Sequence, residues 1–249
     1  MLSLGYSDPK SGELFAIDLF ESIEPFNASS LIKAISNSNS KDHLKGASKN
    51  IFYCTSNRFT IVPARFFEKG KEADWIQPNF EITDKEILFN KFIPEIESYI
   101  IYPISLELKD KLKSEIGHID FSHHYASLIS IYHLYYLEEE GSQAFIHFHA
   151  NQFTISLFTG KNMLLFNSYE LRSWEDVLYY CYYAIEQYSL SPQHTKINLA
   201  GAYTQMEELA IAFQKYSKFI YRMKAKANTE MDAKKEEKLI STIFDLQCG

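Results

Sequence analysis

AFIHFHANQFTISLF (Ala144–Phe158) is followed by KNMLLFNSYEL (Lys161–Leu171), a long amphipathic stretch, and TKINLAGAY (Thr195–Tyr203). Ala144–Ala150, Phe153–Phe158 and Met163–Leu171 are runs of aromatic and β-branched residues and read as three successive strands. Thr159-Gly160-Lys161-Asn162 supplies the second turn between them. Ser173 is placed to cap a helix, with Asp176 near its positive start. Trp174, Val177, Leu178, Cys181, Tyr182, Ile185 and Tyr188 keep the i, i+3, i+4, i+7 spacing of one helical face. Pro192 follows the helix end. Lys196–Ala200 reads as a buried strand, Gly201 as a break, Thr204 to Tyr216 as a second helix, and Phe219–Arg222 as a further strand. Three antiparallel strands followed by a crossover helix and a parallel strand make a three-layer α/β unit.

The residues before this block repeat the pattern more loosely. Leu2–Tyr6 and Leu14–Phe20 suggest a hairpin around the turn-rich Asp8-Pro9-Lys10-Ser11-Gly12. Asn27–Ser38 reads as a helix on Leu31, Ile32 and Ile35, and the polar 36–49 stretch as a loop. Asn50–Thr55, Arg58–Pro63 and Tyr99–Ile104 read as strands, and Glu68–Thr83 as irregular. Ser105 is expected to cap a helix running to Ile116, stopped by Gly117. Ser122 is expected to cap the next helix, whose Tyr125, Leu128, Ile129, Tyr132 and Tyr136 share a face. The Glu138-Glu139-Glu140-Gly141-Ser142 stretch marks the strongest internal boundary, giving halves 1–140 and 141–249. The ISTIFDL run near the chain end is too short to assign.

Composition bounds the function. Of 249 residues, 46% are hydrophobic, with 19 Phe and 17 Tyr against 2 Trp, enough for a large aromatic core. The net charge of −7 argues against a nucleic-acid partner, which needs a basic face. The RMKAK run (Arg222–Lys226) is interleaved further on with acidic residues and reads as a solvated mixed-charge segment. Cys54, Cys181 and Cys248 have no CxxC spacing, so neither a disulfide framework nor a zinc knuckle is expected. No signal peptide and no stretch of about 18 apolar residues is present in the pattern, so the expectation is a cytoplasmic chain without a membrane partner.

Ala144–Tyr203 resembles the second half of actin-like proteins, especially the PilM and FtsA branch. There a strand ends in Asp-x-Gly, a small polar turn follows, and the next strand starts with Thr. IHFHANQFTISLF falls on that template, and LAGAY stands where the adenosine-contacting Gly turn belongs. The chain as a whole resembles a bacterial domain-of-unknown-function family with an actin-like ATPase fold. The residues that suggest it are RFTIVPARFF (Arg58–Phe67), SYIIYPISLELKDKL (Ser98–Leu112), LFNSYELRSWEDVLYYCYYAIEQYSLSP (Leu165–Pro192) and IFDLQCG at the end. The resemblance implies an actin-like, ribonuclease H-like fold of duplicated three-layer α/β/α units. It also implies a nucleotide cleft at His147, His149, Asn151, Gln152, Thr154 and Gly201.

The chain departs from the family pattern at the chemistry. His147 stands for the Asp and His149 for the Gly. Neutral imidazole is a poor ligand for Mg²⁺, and a His side chain blocks the close approach of phosphate to backbone N–H groups. Ala202 follows Gly201 where a second Gly is expected. SDPKSGEL is the nearest approach to a first phosphate loop and lacks its Asp-x-Gly pattern. The leading expectation is therefore a pseudo-ATPase: a non-catalytic scaffold with a protein partner and no cofactor. The alternative is a nucleotide binder or weak ATPase using Asn151, Gln152, Thr154 and Gly201 with ATP and Mg²⁺, and more remotely Lys161. A ribonuclease H-like relic acting on RNA lacks the clustered carboxylates that two-metal chemistry needs. A metal site of His123, His124, His147 and His149 is disfavoured, because no carboxylate or Cys stands at metal spacing beside them. No GxSxG, P-loop or GxGxxG motif is present. Tyr179, Tyr180 and Tyr183 are candidates for a partner surface, since their helix carries more aromatic residues than one buried face uses.

Overall fold

The computed structural model describes residues 2–7, 14–20, 27–37, 49–138 and 140–223. The 38–48 loop, the ISTIFDL run, Cys248 and most of RMKAK lie outside them. The chain divides into two compact units, one up to Ser130 and one from Ile131.

The second unit carries the sheet that the opening stretch anticipates. Strands β8 (Ser142–His149), β9 (Gln152–Thr159) and β10 (Asn162–Glu170) form an antiparallel meander. Beyond β8, strand β11 (Lys196–Gly201) and then β12 (Ile220–Arg222) add in parallel, giving the order β10-β9-β8-β11-β12. Helices α5 (Trp174–Gln187) and α6 (Met206–Gln214) cover one face. Ser173 caps α5 by accepting the Asp176 N–H at 3.2 Å. The core on this face joins Ile146 and Phe148, Phe153 and Ile155, and Ile197 and Leu199 to Val177, Cys181, Ile185, Leu209 and Phe213. Burial pushes the Cys181 thiol far above its ordinary pKa, so it is an inert core residue. Tyr188 departs from the expected apolar stripe: it is the C-cap residue of α5 and exposed. On the opposite face Tyr132 stacks on Phe145 at 4.3 Å. Glu138 is tied to this sheet. Gln143 accepts the Glu138 N–H at 2.9 Å and donates to the Tyr136 carbonyl at 3.3 Å, and Glu138 pairs with Lys196.

The first unit is built from smaller pieces. Strands β1 (Leu2–Ser7) and β2 (Leu14–Phe20) form the expected hairpin. Helix α1 (Ala28–Ser36) is capped by Asn27 and packs Leu31 and Ile35 against Leu112 of α3 (Leu106–Ile116). Ser105 caps α3, and Gly117 ends it at φ 89°. Strand β3 (Ile51–Cys54) pairs in parallel with β7 (Asp120–His123). A separate sheet, β4 (Thr60–Pro63), β6 (Ser98–Ser105) and β5 (Glu86–Ile93), runs antiparallel.

Strand β5 has no counterpart in the sequence reading. Leu88 packs on the Val62–Ile76–Ile101 cluster while Phe89 packs on Phe121 at 4.9 Å. Both faces are used, so the alternation that marks a half-buried strand is missing. The stretch read as irregular contains the short helix α2 (Glu72–Ile76), fixed by fully buried Ile76. Arg58 clamps the start of β5, donating to Glu86 at 2.6 and 3.1 Å and also to the Glu81 carbonyl. That hydrogen bond holds the Glu86 carboxyl down at about 2.

The cap of α4 (His124–Ile131) is also different from expectation. Ser122 lies inside β7, and the cap is the His123 imidazole, whose Nδ1 accepts the Tyr125 N–H at 3.2 Å. Nε2 then carries the proton and donates to the Ser56 carbonyl at 3.1 Å. The ring is fully buried among Phe59, Tyr102 and Tyr125, with centroids 5.8, 5.0 and 4.7 Å away. Residues 122–129 are all buried, so α4 has no wet face and its apolar pattern is not a single stripe. Beyond Ile131 the helix widens into a π turn over Tyr132–Tyr136, closed by Leu137 N–H to the Tyr132 carbonyl at 2.9 Å.

Burial lowers the pKa of His123 to about 3. Unfolded, the imidazole takes up a proton near pH 6.5, so its share of stability is complete above about pH 6.5 and lost as the pH falls toward 3. Chemical denaturation at about pH 4.5 is expected to show about 2–3 kcal/mol less stability from this group than at pH 7. His123→Gln should be less stable at neutral pH yet show a shallower loss over that interval. An unchanged pH slope in the variant would refute this assignment.

Candidate functional site

The expected cleft residues fall at the carboxyl ends of parallel strands β8 and β11, the edge where open α/β sheets bind ligands. The β8–β9 register pairs His147 with Thr154 and His149 with Gln152. Opposed residues share a face, so these four side chains project from the face opposite α5 and α6. Ala150 and Asn151 form the two-residue turn between them. Ala150 takes φ 52°, an uncommon conformation for a residue with a Cβ. The exposed Asn151 is tied to the third strand, its carbonyl accepting the Leu171 N–H at 2.8 Å. On the other side of β8, Ala200 pairs with His147 and Gly201 with Phe148.

Gly201 has a structural reason that sequence reading did not supply. It adopts φ 84°, and an added Cβ would lie inside contact distance of the Phe148 carbonyl oxygen and 3.0 Å from its carbon. Tyr203 folds back to stack on Phe148, with centroids 4.7 Å apart and planes within 6°. The close approach of β11 to β8 therefore requires Gly here, with or without a ligand.

His147 is 1% exposed and Thr154 3%, whereas His149 and Gln152 are half-buried. Thr154 Oγ1 and, further along β9, Ser156 Oγ are buried without a hydrogen-bond partner among the described residues. No Asp or Glu stands among the six candidate positions. Among the described residues no group of three or more His, Cys, Asp or Glu side chains is gathered around one metal position.

Lys161 is not brought to this edge. It lies in the β9–β10 turn, and eight-residue β9 separates that turn from Ala150–Asn151 by roughly 25 Å. The tyrosines of α5 also divide. Tyr179 and Tyr183 are 61% and 50% exposed and stack at 5.9 Å, whereas Tyr180 turns inward onto Tyr169 at 4.5 Å.

The family model described as "Protein of unknown function (DUF3822)" matches residues 1–220. The chain belongs to that family. No curated protein matches it. Among solved structures, a protein from Bacteroides thetaiotaomicron with an actin-like ATPase fold and unknown function is 18% identical, with TM-score 0.83 over 99% of this chain and 91% of that one. A chain of the PilM-PilN type IV pilus biogenesis complex is 12% identical, with TM-score 0.58 over 98% and 94%. At these identities the likeness is one of fold: the chain has the actin-like α/β architecture that its second sheet suggested. Among the described residues no helix is long and apolar enough to cross a membrane.

Two substitutions test the edge. Gly201→Ala adds backbone strain and a steric clash, and is expected to cost about 2–5 kcal/mol in denaturation. Thr154→Val removes a buried hydroxyl that has no protein partner, and is expected to be neutral or stabilising by about 1 kcal/mol. A clear loss in Thr154→Val would mean that the hydroxyl is satisfied in solution.

Proposed function

We propose that this protein is a non-catalytic actin-like scaffold, two actin-like halves (1–140 and 141–249) that bind a protein partner. The observation that carries the reading is the occupant of the Asp-x-Gly position. A buried imidazole, His147, and a second, His149, stand where a Mg²⁺-organising carboxylate and a phosphate-admitting glycine would be. A hard divalent cation with a nucleotide phosphate needs oxygen ligands, and the six edge residues offer none that is charged. The exposed Tyr179–Tyr183 pair on α5 supports a partner surface, because Tyr is enriched in interfaces. The PilM-PilN complex shows that a chain of this fold takes part in a protein assembly, and by analogy supports a protein partner here.

The second reading, a nucleotide binder, draws its support from the gathering of His149, Asn151, Gln152 and Thr154 at one strand edge. Calorimetry of ATP and ADP with Mg²⁺ against the intact chain separates the two. No heat up to millimolar nucleotide is expected. Micromolar binding that is lost in Asn151→Ala would overturn the scaffold. Gly201 variants are unsuitable for this test, since they disturb the β8–β11 contact itself.

A further inference from the structure

At the amino end of β7, opposite the end that carries Cys54 and His123, α3 stops at Gly117 and the chain runs through His118 and Ile119 into Asp120. A cavity of about 690 Å³ opens there, between Phe89 and Lys91 of β5, Lys113 in the last turn of α3, and the Gly117–Phe121 segment. That volume lies within the roughly 300–1,000 Å³ range of small-molecule sites. The floor is apolar: Phe89 and Phe121 are half-buried with centroids 4.9 Å apart, Phe121 rests on Phe52 at 5.9 Å, and Ile119 is buried. A Cβ at Gly117 would meet nothing within 4 Å, so the wall is open at that point.

The rim is cationic in a chain of net charge −7. Lys91 and Lys113 both line the cavity and pair with no carboxylate among the described residues. The one carboxylate on the rim, Asp120, lies 3.7 Å from Nε2 of His118. A lysine alone on a surface is ordinarily just solvated. Two of them from different elements, lining one cavity with an aromatic floor, offer charge and stacking to one ligand.

We propose that this cavity binds a small planar anion: an aromatic ring bearing a carboxylate, sulfonate or phosphate. The ring lies against Phe89 and Phe121, and the acid group faces Lys91 and Lys113. The site lies wholly within the first unit and stands whether or not the β8–β11 edge takes a nucleotide.

The fluorescent anion 1-anilinonaphthalene-8-sulfonate tests it on the intact chain. One saturable site is expected, weakening with salt. The double variant Lys91→Glu/Lys113→Glu should raise Kd by about tenfold or more, and Phe89→Ala should abolish the bound-state emission. Asp120→Asn should tighten binding. Both lysines are exposed, so an unchanged thermal melt will show that the double variant is folded. Equal affinity in wild type and the double variant, or binding indifferent to salt, would place the probe elsewhere, such as on Tyr179 and Tyr183, and overturn the proposal.

Discussion

The parallel contact between β8 and β11 is the constraint on which the second unit depends. Among the described strands, only β8 has neighbours of both kinds, antiparallel β9 and parallel β11. Its Ile146 and Phe148 face the helices, and its His147 faces away. A slip of one residue in either pairing would send His147 into the helix-covered core and Phe148 to the other face. Gly201 helps to prevent that slip, because the close approach is possible only where β11 lacks a side chain. Tyr203 then closes over Phe148. The edge on which the candidate residues gather is thus placed by the same close approach that helps to hold the sheet in register.

The first unit solves its equivalent problem with polar groups. β7 and α4 meet without a loop, so the first N–H groups of the helix need an acceptor inside an aromatic shell. A serine is the common solution, and Ser122 stands one residue too early. The imidazole of His123 has the reach, and its second nitrogen also satisfies Ser56 on the segment after β3. One side chain therefore caps a helix and pins a loop. It can do so only while neutral, which makes a structural histidine an acid-sensitive joint.

How far the sequence revealed this architecture depends on whether a feature is local. β8, β9, β10, α5 and β11 were legible because each has one clean period and its own turn or cap: a short polar break before Phe153, Ser173 before Trp174, Gly201 after Ala200. The pairing of His147 with Thr154 was not legible: the strand bounds read from the sequence leave Asn151-Gln152 as the turn, one residue later than the observed Ala150–Asn151, and that shift moves the partner of His147 from Ser156 to Thr154. The length of β9 is what sets Lys161 apart from this edge. β5 was illegible because it is packed on both faces, and the His123 cap because the rule of preferred capping residues does not rank imidazole. The structural role of Gly201 could not be read at all, since the Phe148 carbonyl that it admits lies 53 residues away in the chain.

The burial of His147 bears on the scaffold reading proposed above. A carboxylate at a position 1% exposed needs a cation or several hydrogen-bond donors to remain ionised, and an actin-like ATPase supplies them with its metal and nucleotide. On the scaffold reading the metal and nucleotide are gone, and an aspartate would lack that support. Imidazole releases its proton at about pH 6.5 against about 3.9 for aspartic acid, so it is the group that can be buried uncharged near neutral pH. The substitution then removes an electrostatic cost while Thr154 and Ser156 keep the polar character of the face. The same logic makes a reverse substitution informative. His147→Asp, without restoration of a metal, should weaken the fold most at high pH, where the carboxyl is driven to ionise, and least in mild acid. A stable variant that instead acquired affinity for Mg²⁺ would show that the rest of an ATPase site is still in place around it.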